Sequence, residues 1–272
     1  MSSEASASGK AFAWDARDYA RNSRIQEEFG RKHIELLELS GGEAVLDIGC
    51  GDGRLTAVLA QRVPRGRVVG IDSSPEMIAA ARETQQSLHS HLTFETMDAT
   101  ALPFHAEFDL VFSTSALHWV KDHLAVLRGI VQALKPRGDL HLTFGARGTL
   151  GGLQEVLNAV MRAPTWRARF QGFESPYGFY GMEEYGPWLE QCGFIVERLG
   201  VVERDVAHAG REAFEGWLRT TGMPYAERIE AEKRPAFLRE VIDRYVERSP
   251  MDAEGAIHVP MVNLVVKARR RD

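Results

Sequence analysis

Apolar residues in the first half of the chain come in short runs that are separated by amphipathic stretches. From Glu43 onward the runs read AVLDIG, VVGID, LTFETM, FDLVFS and DLHLTF. The stretches between them, Arg54 to Arg62, Pro75 to Gln86 and His123 to Lys135, are candidate helices. Strands rich in β-branched residues that alternate with helices are typical of a parallel sheet wrapped by helices.

Residues at the ends of these segments predict where helices begin and end. Ser74 can cap a helix whose first turn holds Pro75 and Glu76. Pro136 and Gly138 are expected to end the helix that precedes DLHLTF. Both signals agree with the alternation of strands and helices.

The alternation breaks after Phe144. A segment rich in aromatic residues and glycine runs from Trp166 to Trp188, followed by another helix and the strand-like FIVERLGVVERDV. A second helical block, from about Arg211 to Arg248, precedes the apolar run HVPMVNLVV. We predict an α/β fold with one mostly parallel sheet of seven strands, helices on both faces, and a helical cap built from insertions after the fifth and sixth strands.

Composition and charge exclude several classes of function. The 272 residues are 44% hydrophobic and carry a net charge of -5, so a full core is expected and a broad basic field for nucleic acid is not. Cys50 and Cys192 lie far apart without CxxC or Cys/His spacing, which predicts neither a disulfide framework nor a metal site. The chain shows neither a signal peptide nor an apolar stretch of about 18 residues. We expect a cytoplasmic protein without a membrane or nucleic-acid partner.

A glycine-rich turn carries the strongest chemical signal. The apolar run that begins at Val45 leads through Asp47 into Gly49, Gly51 and Gly53, and then into a helix. Glycines at this spacing let the backbone turn tightly and let a ligand approach where a Cβ would collide. Asp72 ends the next strand, 21 residues after Gly51, where a carboxylate can accept hydrogen bonds from both hydroxyls of a ribose.

The charge around this turn indicates which nucleotide-like ligand it holds. The spacing GxGxG differs from the dinucleotide fingerprint GxGxxG, and Asp47 precedes the glycines within the strand. A pyrophosphate would be repelled by this carboxylate, whereas the sulfonium and ammonium groups of S-adenosylmethionine would be attracted. The turn therefore predicts S-adenosylmethionine as the cofactor.

The ordered motifs resemble those of class I S-adenosylmethionine-dependent methyltransferases. They are LDIGCGDG, GIDSS, the triplet Met97-Asp98-Ala99, FDLVFSTSALHWV and LKPRGDL. The resemblance implies a Rossmann-like fold with an N-terminal tail and lid helices at 1–42, a cofactor-binding core at 43–145, and cap helices with the final strands at 146–272. The chain departs from the pattern at Arg137, where many relatives have glycine.

The resemblance also implies the cofactor contacts. The turn holds the methionine end, Asp72 the ribose, Met77, Asp98 and Ala99 the adenine, and Ser113 lies beside the sulfonium. The full set of predicted contacts is Asp47, Gly49, Cys50, Gly51, Asp72, Ser73, Met77, Asp98, Ala99 and Ser113. Several of these residues have a second interpretation: the glycines could serve an ordinary tight turn, and Asp72 could be only a helix-capping residue. Met77 is equally well explained as core packing, and Asp98 as a turn former before Pro103.

The remaining blocks resemble trans-aconitate methyltransferases and related O-methyltransferases of small acids. They are the segment from Phe12 to Tyr19, SALHWVKDH, WLRTTGMPYAERI and FLREVIDRYVE; malonyl-carrier-protein methyltransferases share part of them. The resemblance implies that the later helices cover a small-molecule acceptor. Trp14 and Tyr19 are candidates for a lid over the cofactor, with plain packing as the alternative.

A carboxylic acid acceptor is already ionised at pH 7, because an unperturbed carboxyl has a pKa of about 4, so that no general base is required. Its site needs cations or amide donors. Candidate cations in the cap are Arg147, Arg167, Arg169 and Arg219, of which Arg219 is the first choice. Each could equally be a solvated surface residue.

His118 and Trp119 follow the fourth strand directly, and open α/β sheets bind ligands at the carboxyl ends of their strands. We assign the acceptor site to His118, Trp119 and Arg219. His118 could orient the acceptor or deprotonate a phenol or alcohol, or it could be a rim residue beside a packed Trp119. The aromatics between Trp166 and Tyr180 could line an apolar pocket or form a small core.

Three other functions remain open at this point. The first is a methyltransferase for a natural-product phenol, alcohol, amine or carbon, or for a carrier-protein-bound acid. The second is a non-catalytic S-adenosylmethionine-binding module, and the third, disfavoured by the glycine spacing, is a nicotinamide-dependent oxidoreductase. The segment after the fourth strand lacks an NPPY-like or DPPY-like tetrapeptide and a Pro-Cys nucleophile, which disfavours methylation of adenine, glutamine or a pyrimidine ring. A monomer or homodimer is expected.

Overall fold

The computed structural model describes residues 24–272, so Trp14 and Tyr19 lie outside the described residues. Seven strands in this part of the chain form one sheet: β1 (Ala44–Ile48), β2 (Arg67–Asp72), β3 (Leu92–Thr96), β4 (Phe108–Thr114), β5 (Leu134–Gly145), β6 (Phe194–His208) and β7 (Ile257–Arg270). Their order is β3-β2-β1-β4-β5-β7-β6. All neighbours are parallel except β7, which is antiparallel to β5 and β6. The predicted seven-stranded, mostly parallel sheet is confirmed.

The helices of the described residues connect these strands. They are α1 (Arg24–Glu35), α2 (Arg54–Arg62), α3 (Pro75–Thr84), α4 (His123–Ala133), α5 (Gly151–Arg162), α6 (Met182–Gln191), α7 (Gly210–Thr221), α8 (Met223–Ala226) and α9 (Arg234–Arg248). The start of α3 matches the sequence prediction, because the Ser74 hydroxyl accepts a hydrogen bond from the amide of Met77 at 3.2 Å. Within residues 24–272, no helix is long and apolar enough to cross a membrane.

Helices cover both faces of the sheet. Ile130 of α4 and Tyr185 of α6 pack on one face, and Ile34, Leu59 and Ile78, from α1, α2 and α3, pack on the other. All five side chains are at most 1% exposed. Burying a large apolar side chain contributes about 1.5–3 kcal/mol, so these contacts hold the layers together. The strand β1 is buried along its whole length, which explains its unbroken apolar run.

The strands β6 and β7 extend beyond the end of β5 and carry a second apolar core. Their pairing continues past the point where Asn263 lies opposite Gly145. Side chains of α5, α7 and α9 pack above this extension, with Val160 and Phe214 fully buried among them. These helices, α8 and the connection 163–181 are called the helical layer below. They are the helical insertions that the sequence predicts after the fifth and sixth strands.

Two predicted helices end earlier than expected, and the first of them, α3, ends at Thr84 instead of Gln86. The helix α4 ends at Ala133 instead of Lys135, and β5 begins at Leu134. Leu134 pairs with Phe108 of β4 and is fully buried. Lys135, the residue before Pro136, also favours the extended conformation over the helical one. Strand pairing and burial therefore end the helix before the proline does. Arg137 follows with a φ of 64°, in the left-handed region.

Candidate active site

The glycine turn after β1 has a backbone that requires glycine. Gly49 and Gly53 have φ angles of 74° and 79°. A Cβ on Gly49 would lie 2.1 Å from the Cβ of Ala116, and one on Gly53 would lie 2.6 Å from the ring of Phe94. The turn can therefore lie directly against the segment that follows β4, and the carboxyl ends of β1 and β4 form one edge.

Asp72 ties this turn to the end of β2. Its two carboxylate oxygens accept hydrogen bonds from the amides of Gly51, at 3.0 Å, and Ser74, at 2.9 Å. Burial raises the pKa of Asp72, and the amide hydrogen bonds oppose that shift. Each carboxylate oxygen has a further lone pair, which leaves capacity for ribose hydroxyls.

Asp47 lies inside the site, at the floor of the cleft beside Gly49 and Gly51. Its side chain is 2% exposed, and the Thr56 hydroxyl donates a hydrogen bond to Oδ2 at 2.7 Å. Burial raises the pKa of Asp47 to about 7, and the nearby charge of Asp72 adds to the rise. A cation in the cleft would reverse the effect by favouring the ionised form.

The helix α1 supplies part of the cleft rim through Gln26 and Glu27. Arg54, the first residue of α2, bonds Glu27 at 2.5 Å and Asp52 at 2.8 Å. The sequence interpretation missed Glu27, Arg54 and Thr56. For Thr56 and Arg54 a signal was present, since both lie in the first turn of the helix that directly follows the glycine turn.

The remaining predicted cofactor residues lie around the same edge in different environments. Cys50 and Met77 are buried, and Ser73 and Asp98 are exposed. Asp98 accepts hydrogen bonds from the amide and hydroxyl of Thr100, both at 2.8 Å, as a turn former would. Their contacts with the cofactor stay predictions.

Ser113 and Ala99 complete the predicted set. Ser113 is 1% exposed, and its hydroxyl donates to the carbonyl of Ile48 at 2.7 Å, which joins the ends of β4 and β1. Ala99 packs at the margin of the sheet core. Ser113 thus has a structural task at the sheet edge, and its predicted place beside the sulfonium stays a prediction.

His118 lies in a short turn, Leu117–Trp119, just after β4. The amide of Gly145, at the end of β5, donates a hydrogen bond to His118 Nδ1 at 3.3 Å. Burial lowers the pKa of His118 to about 3, so the ring is neutral at pH 7. A neutral imidazole whose Nδ1 accepts carries its proton on Nε2. His118 is therefore a hydrogen-bond donor at Nε2.

Groups distant in sequence hold this turn in place. His123 Nε2 donates to the carbonyl of Leu117 at 2.8 Å, and the Tyr185 hydroxyl donates to His123 Nδ1 at 2.5 Å. The amide of Gly178, in the helical layer, donates to the carbonyl of His118 at 2.9 Å. The roles of His123, Tyr185 and Gly178 were not predicted, because local spacing does not reveal them.

Aromatic rings of the helical layer lie next to His118. Tyr177 lies 4.8 Å from Trp119 and 4.9 Å from Phe179, measured between ring centroids. Phe179 stacks on His118 at 6.1 Å. The structure thus brings His118 and Trp119 together with part of the predicted aromatic cluster.

Three of the four predicted arginines form ion pairs. Arg169 pairs with Glu230 at 2.7 Å, Arg147 with Glu184, and Arg219 lies 3.7 Å from Glu215, one turn earlier on α7. Arg167 is exposed. The predicted role of Arg219 at the acceptor stays a prediction, and its side chain is about half exposed. Among residues 24–272, no group of three or more side chains could hold a metal ion.

Comparison with known proteins agrees with this geometry. Residues 45–138 match a family described as a methyltransferase domain. Over 268 residues the chain is 30% identical to a trans-aconitate 2-methyltransferase of Methylobacterium nodulans, covering 94% of this chain and 98% of the relative. It is 32% identical over 195 residues to an uncharacterized methyltransferase of Schizosaccharomyces pombe, covering 70% of this chain and 74% of the relative.

Solved structures share the fold. A putative methyltransferase from Bacillus halodurans has a TM-score of 0.62 at 19% identity, covering 90% of this chain and 100% of the other. A phosphoethanolamine N-methyltransferase from Haemonchus contortus, solved in complex with S-adenosyl-L-methionine, has a TM-score of 0.57 at 19% identity, covering 94% of this chain and 57% of the other. From the glycine turn, the fold and these relatives together, the chain belongs to the class I methyltransferases, enzymes that use S-adenosylmethionine as their cofactor.

Proposed function

We propose that this methyltransferase transfers its methyl group to a carboxylate oxygen of a small molecule and forms a methyl ester. The observation that carries the proposal is the hydrogen bond from the Gly145 amide to His118 Nδ1, which leaves Nε2 as a donor at the end of β4. A donor suits an acceptor that is already an anion. The relatives named trans-aconitate 2-methyltransferase, which match 90% or more of the chain, support the same acceptor class.

A phenol or alcohol acceptor would need a histidine that can act as a general base. A phenol or alcohol has to lose its proton to become a nucleophile, and a general base works best with a pKa near the operating pH. Burial lowers the pKa of His118 to about 3, and its Nδ1 is held by Gly145. A carboxylate with a pKa of about 4 arrives ionised and needs only to be positioned.

The residues at the strand ends fit the cofactor. Gly49 and Gly51 of the turn line the cleft together with the buried Asp47. The half-buried Asp72 holds the turn through the amide of Gly51. When bound, S-adenosylmethionine supplies a methyl group on a cationic sulfur. In this proposal Asp47 attracts the cationic end of the cofactor, and Asp72 accepts hydrogen bonds from the ribose hydroxyls. His118 Nε2 donates a hydrogen bond to one oxygen of the acceptor carboxylate. The other acceptor oxygen would then be free to attack the methyl group that the cofactor supplies.

Three further statements belong to this proposal. Residues 43–145 form the cofactor-binding core, and residues 146–272 complete the sheet and cover the acceptor. Residues 1–42, with Trp14 and Tyr19, act as a lid. A cytoplasmic location is supported by Cys50 and Cys192, which are both unpaired cysteines.

Methyl transfer to a panel of acceptors tests the proposal. S-adenosylmethionine labelled in its methyl group is incubated with small di- and tricarboxylic acids, fatty acids, phenols and amines. We expect label in products that release methanol in mild alkali, which marks an ester. Label found only in alkali-stable phenol or amine products would overturn the carboxylate proposal and leave the methyltransferase activity intact.

A further inference from the structure

We infer that the acceptor is a monocarboxylic acid with an apolar alkyl or aryl body, a statement that rests on the proposed ester formation. The surface that takes this body is called the aromatic wall, and it consists of Trp119, Phe173, Tyr177 and Phe179. Phe179 stacks on the ring of His118, and Tyr177 lies 4.8 Å from Trp119 and 4.9 Å from Phe179. The wall therefore begins at the donor that would hold the carboxylate.

The aromatic wall differs in exposure from the core behind it. Its four side chains are partly exposed, whereas Tyr225 and Phe237, which belong to the core of the helical layer, are at most 1% exposed. Phe173 lies 5.3 Å from Tyr225, and three of the wall rings pack against that core. Partly exposed aromatic rings next to a reactive group are typical of a small-molecule site.

The position of the wall is fixed by close backbone packing. Gly178 lies between two wall residues, and its amide donates to the carbonyl of His118 at 2.9 Å. A Cβ on Gly178 would lie 2.2 Å from the carbonyl oxygen of Val120. The wall and the His118 turn are thus joined as one unit, with a fixed spacing between the donor and the rings.

The charges of the helical layer argue against a polycarboxylic acid. A second or third carboxylate taken out of water needs a cation or several donors. Arg169 pairs with Glu230, and Arg147 with Glu184. Burial raises the pKa of Tyr177, so its phenol is neutral at pH 7.

One cation lies beside a ring of the aromatic wall. The guanidinium of Arg228 lies 5.9 Å from the ring centroid of Phe173 and donates to the carbonyls of Arg169 and Gln171. These bonds hold the guanidinium against the backbone of residues 169–171. An apolar body that covers the partly exposed rings of the wall gains affinity about fourfold for each buried methylene.

Competition among acids tests this inference. The kcat/KM for ester formation is measured for straight-chain acids of four to ten carbons, phenylacetic acid, succinic acid, citric acid and trans-aconitic acid. We expect kcat/KM to rise about fourfold per added methylene until the wall is covered, and to exceed that of every polyacid. Faster ester formation on the polyacids would contradict an apolar monocarboxylic acceptor and would still support the proposed ester formation. If none of the acids formed an ester, both proposals would be wrong.

A pair of serine variants ties the preference to the wall. Phe179→Ser removes a wall ring, and Phe104→Ser removes a partly buried ring that packs on Phe108 instead. We expect Phe179→Ser to lower kcat/KM for octanoate at least tenfold and for butanoate little, with unchanged affinity for S-adenosylhomocysteine. Quenching of tryptophan fluorescence by octanoate, and not by citrate, reports binding without turnover, and its loss in Trp119→Phe assigns the signal to the wall. Equal losses for octanoate and butanoate in Phe179→Ser would contradict the assignment.

Discussion

At the scale of the single residue, the proposed role of His118 is to donate one hydrogen bond, from Nε2, to the acceptor. His118→Ala removes the Nε2 donor, and we expect turnover to fall about 10²-fold with unchanged affinity for S-adenosylhomocysteine. His118→Gln places an amide N–H close to the position of Nε2 and should restore part of the loss. The readout is kcat against KM for each variant.

Two outcomes would contradict this role. Unchanged turnover in His118→Ala would remove the residue from the site. Turnover that rises with pH as a group of pKa near 7 ionises, and that loses this dependence in His118→Ala, would indicate a general base instead of a donor.

Asp47 predicts a pH dependence of cofactor binding. Burial raises the pKa of Asp47 to about 7, so the free protein holds a proton there below pH 7, and a cationic cofactor favours the ionised carboxylate. The affinity for S-adenosylmethionine should therefore fall as the pH drops through 7, by up to about tenfold per pH unit. Calorimetry from pH 5 to pH 8 measures it, with Asp47→Asn as the control. The same pH profile in Asp47→Asn would assign the dependence to another group.

At the scale of the element, the turn between α4 and β5 contains an unfavourable residue. Arg137 has a φ of 64° and an exposed side chain. A left-handed conformation costs a residue with a Cβ about 1–2 kcal/mol, a cost that glycine does not have. Glycine also makes the unfolded chain more flexible, and this entropy offsets part of the stabilisation. We expect Arg137→Gly to raise the free energy of unfolding by about 0.5–1 kcal/mol in a urea titration.

A second variant separates backbone strain from charge at this turn. Arg137→Ala removes the guanidinium and keeps the Cβ, so its stability should stay close to that of the parent protein. Equal stabilisation by alanine and glycine would mean that the side chain, and not the φ angle, is the cause.

At the scale of the whole molecule, α1 links the N-terminal part of the chain to the cofactor cleft. Gln26 and Glu27 line the cleft, and Glu27 is paired with Arg54 of α2. If residues 1–42 close over the cofactor, S-adenosylhomocysteine should slow tryptic cleavage at Arg17 and Arg21 several-fold, because a bound ligand favours the closed form. Equal cleavage rates with and without ligand, followed by mass spectrometry, would argue against the lid.

The fold was largely predictable because its signals are local. The run into Gly49 and Gly53, the carboxylate of Asp72 and the cap at Ser74 each act within a few residues of a strand end, and the alternation of strands and helices follows from burial on both faces of a parallel sheet. The end of α4 was misplaced because pairing of Leu134 with β4, a contact distant in sequence, decided it.

The sequence by itself determined the class of fold and the cofactor turn, since both depend on short-range spacing and on the intrinsic preferences of glycine, proline and apolar residues. Only the tertiary structure decided the state of His118, because the Gly145 amide that fixes its proton on Nε2 lies 27 residues away. It also paired Arg169 with Glu230 from another part of the helical layer and placed the rings of Tyr177 and Phe179 beside His118. Such contacts join side chains across elements, and their partners are set by packing, which no local pattern in the chain records.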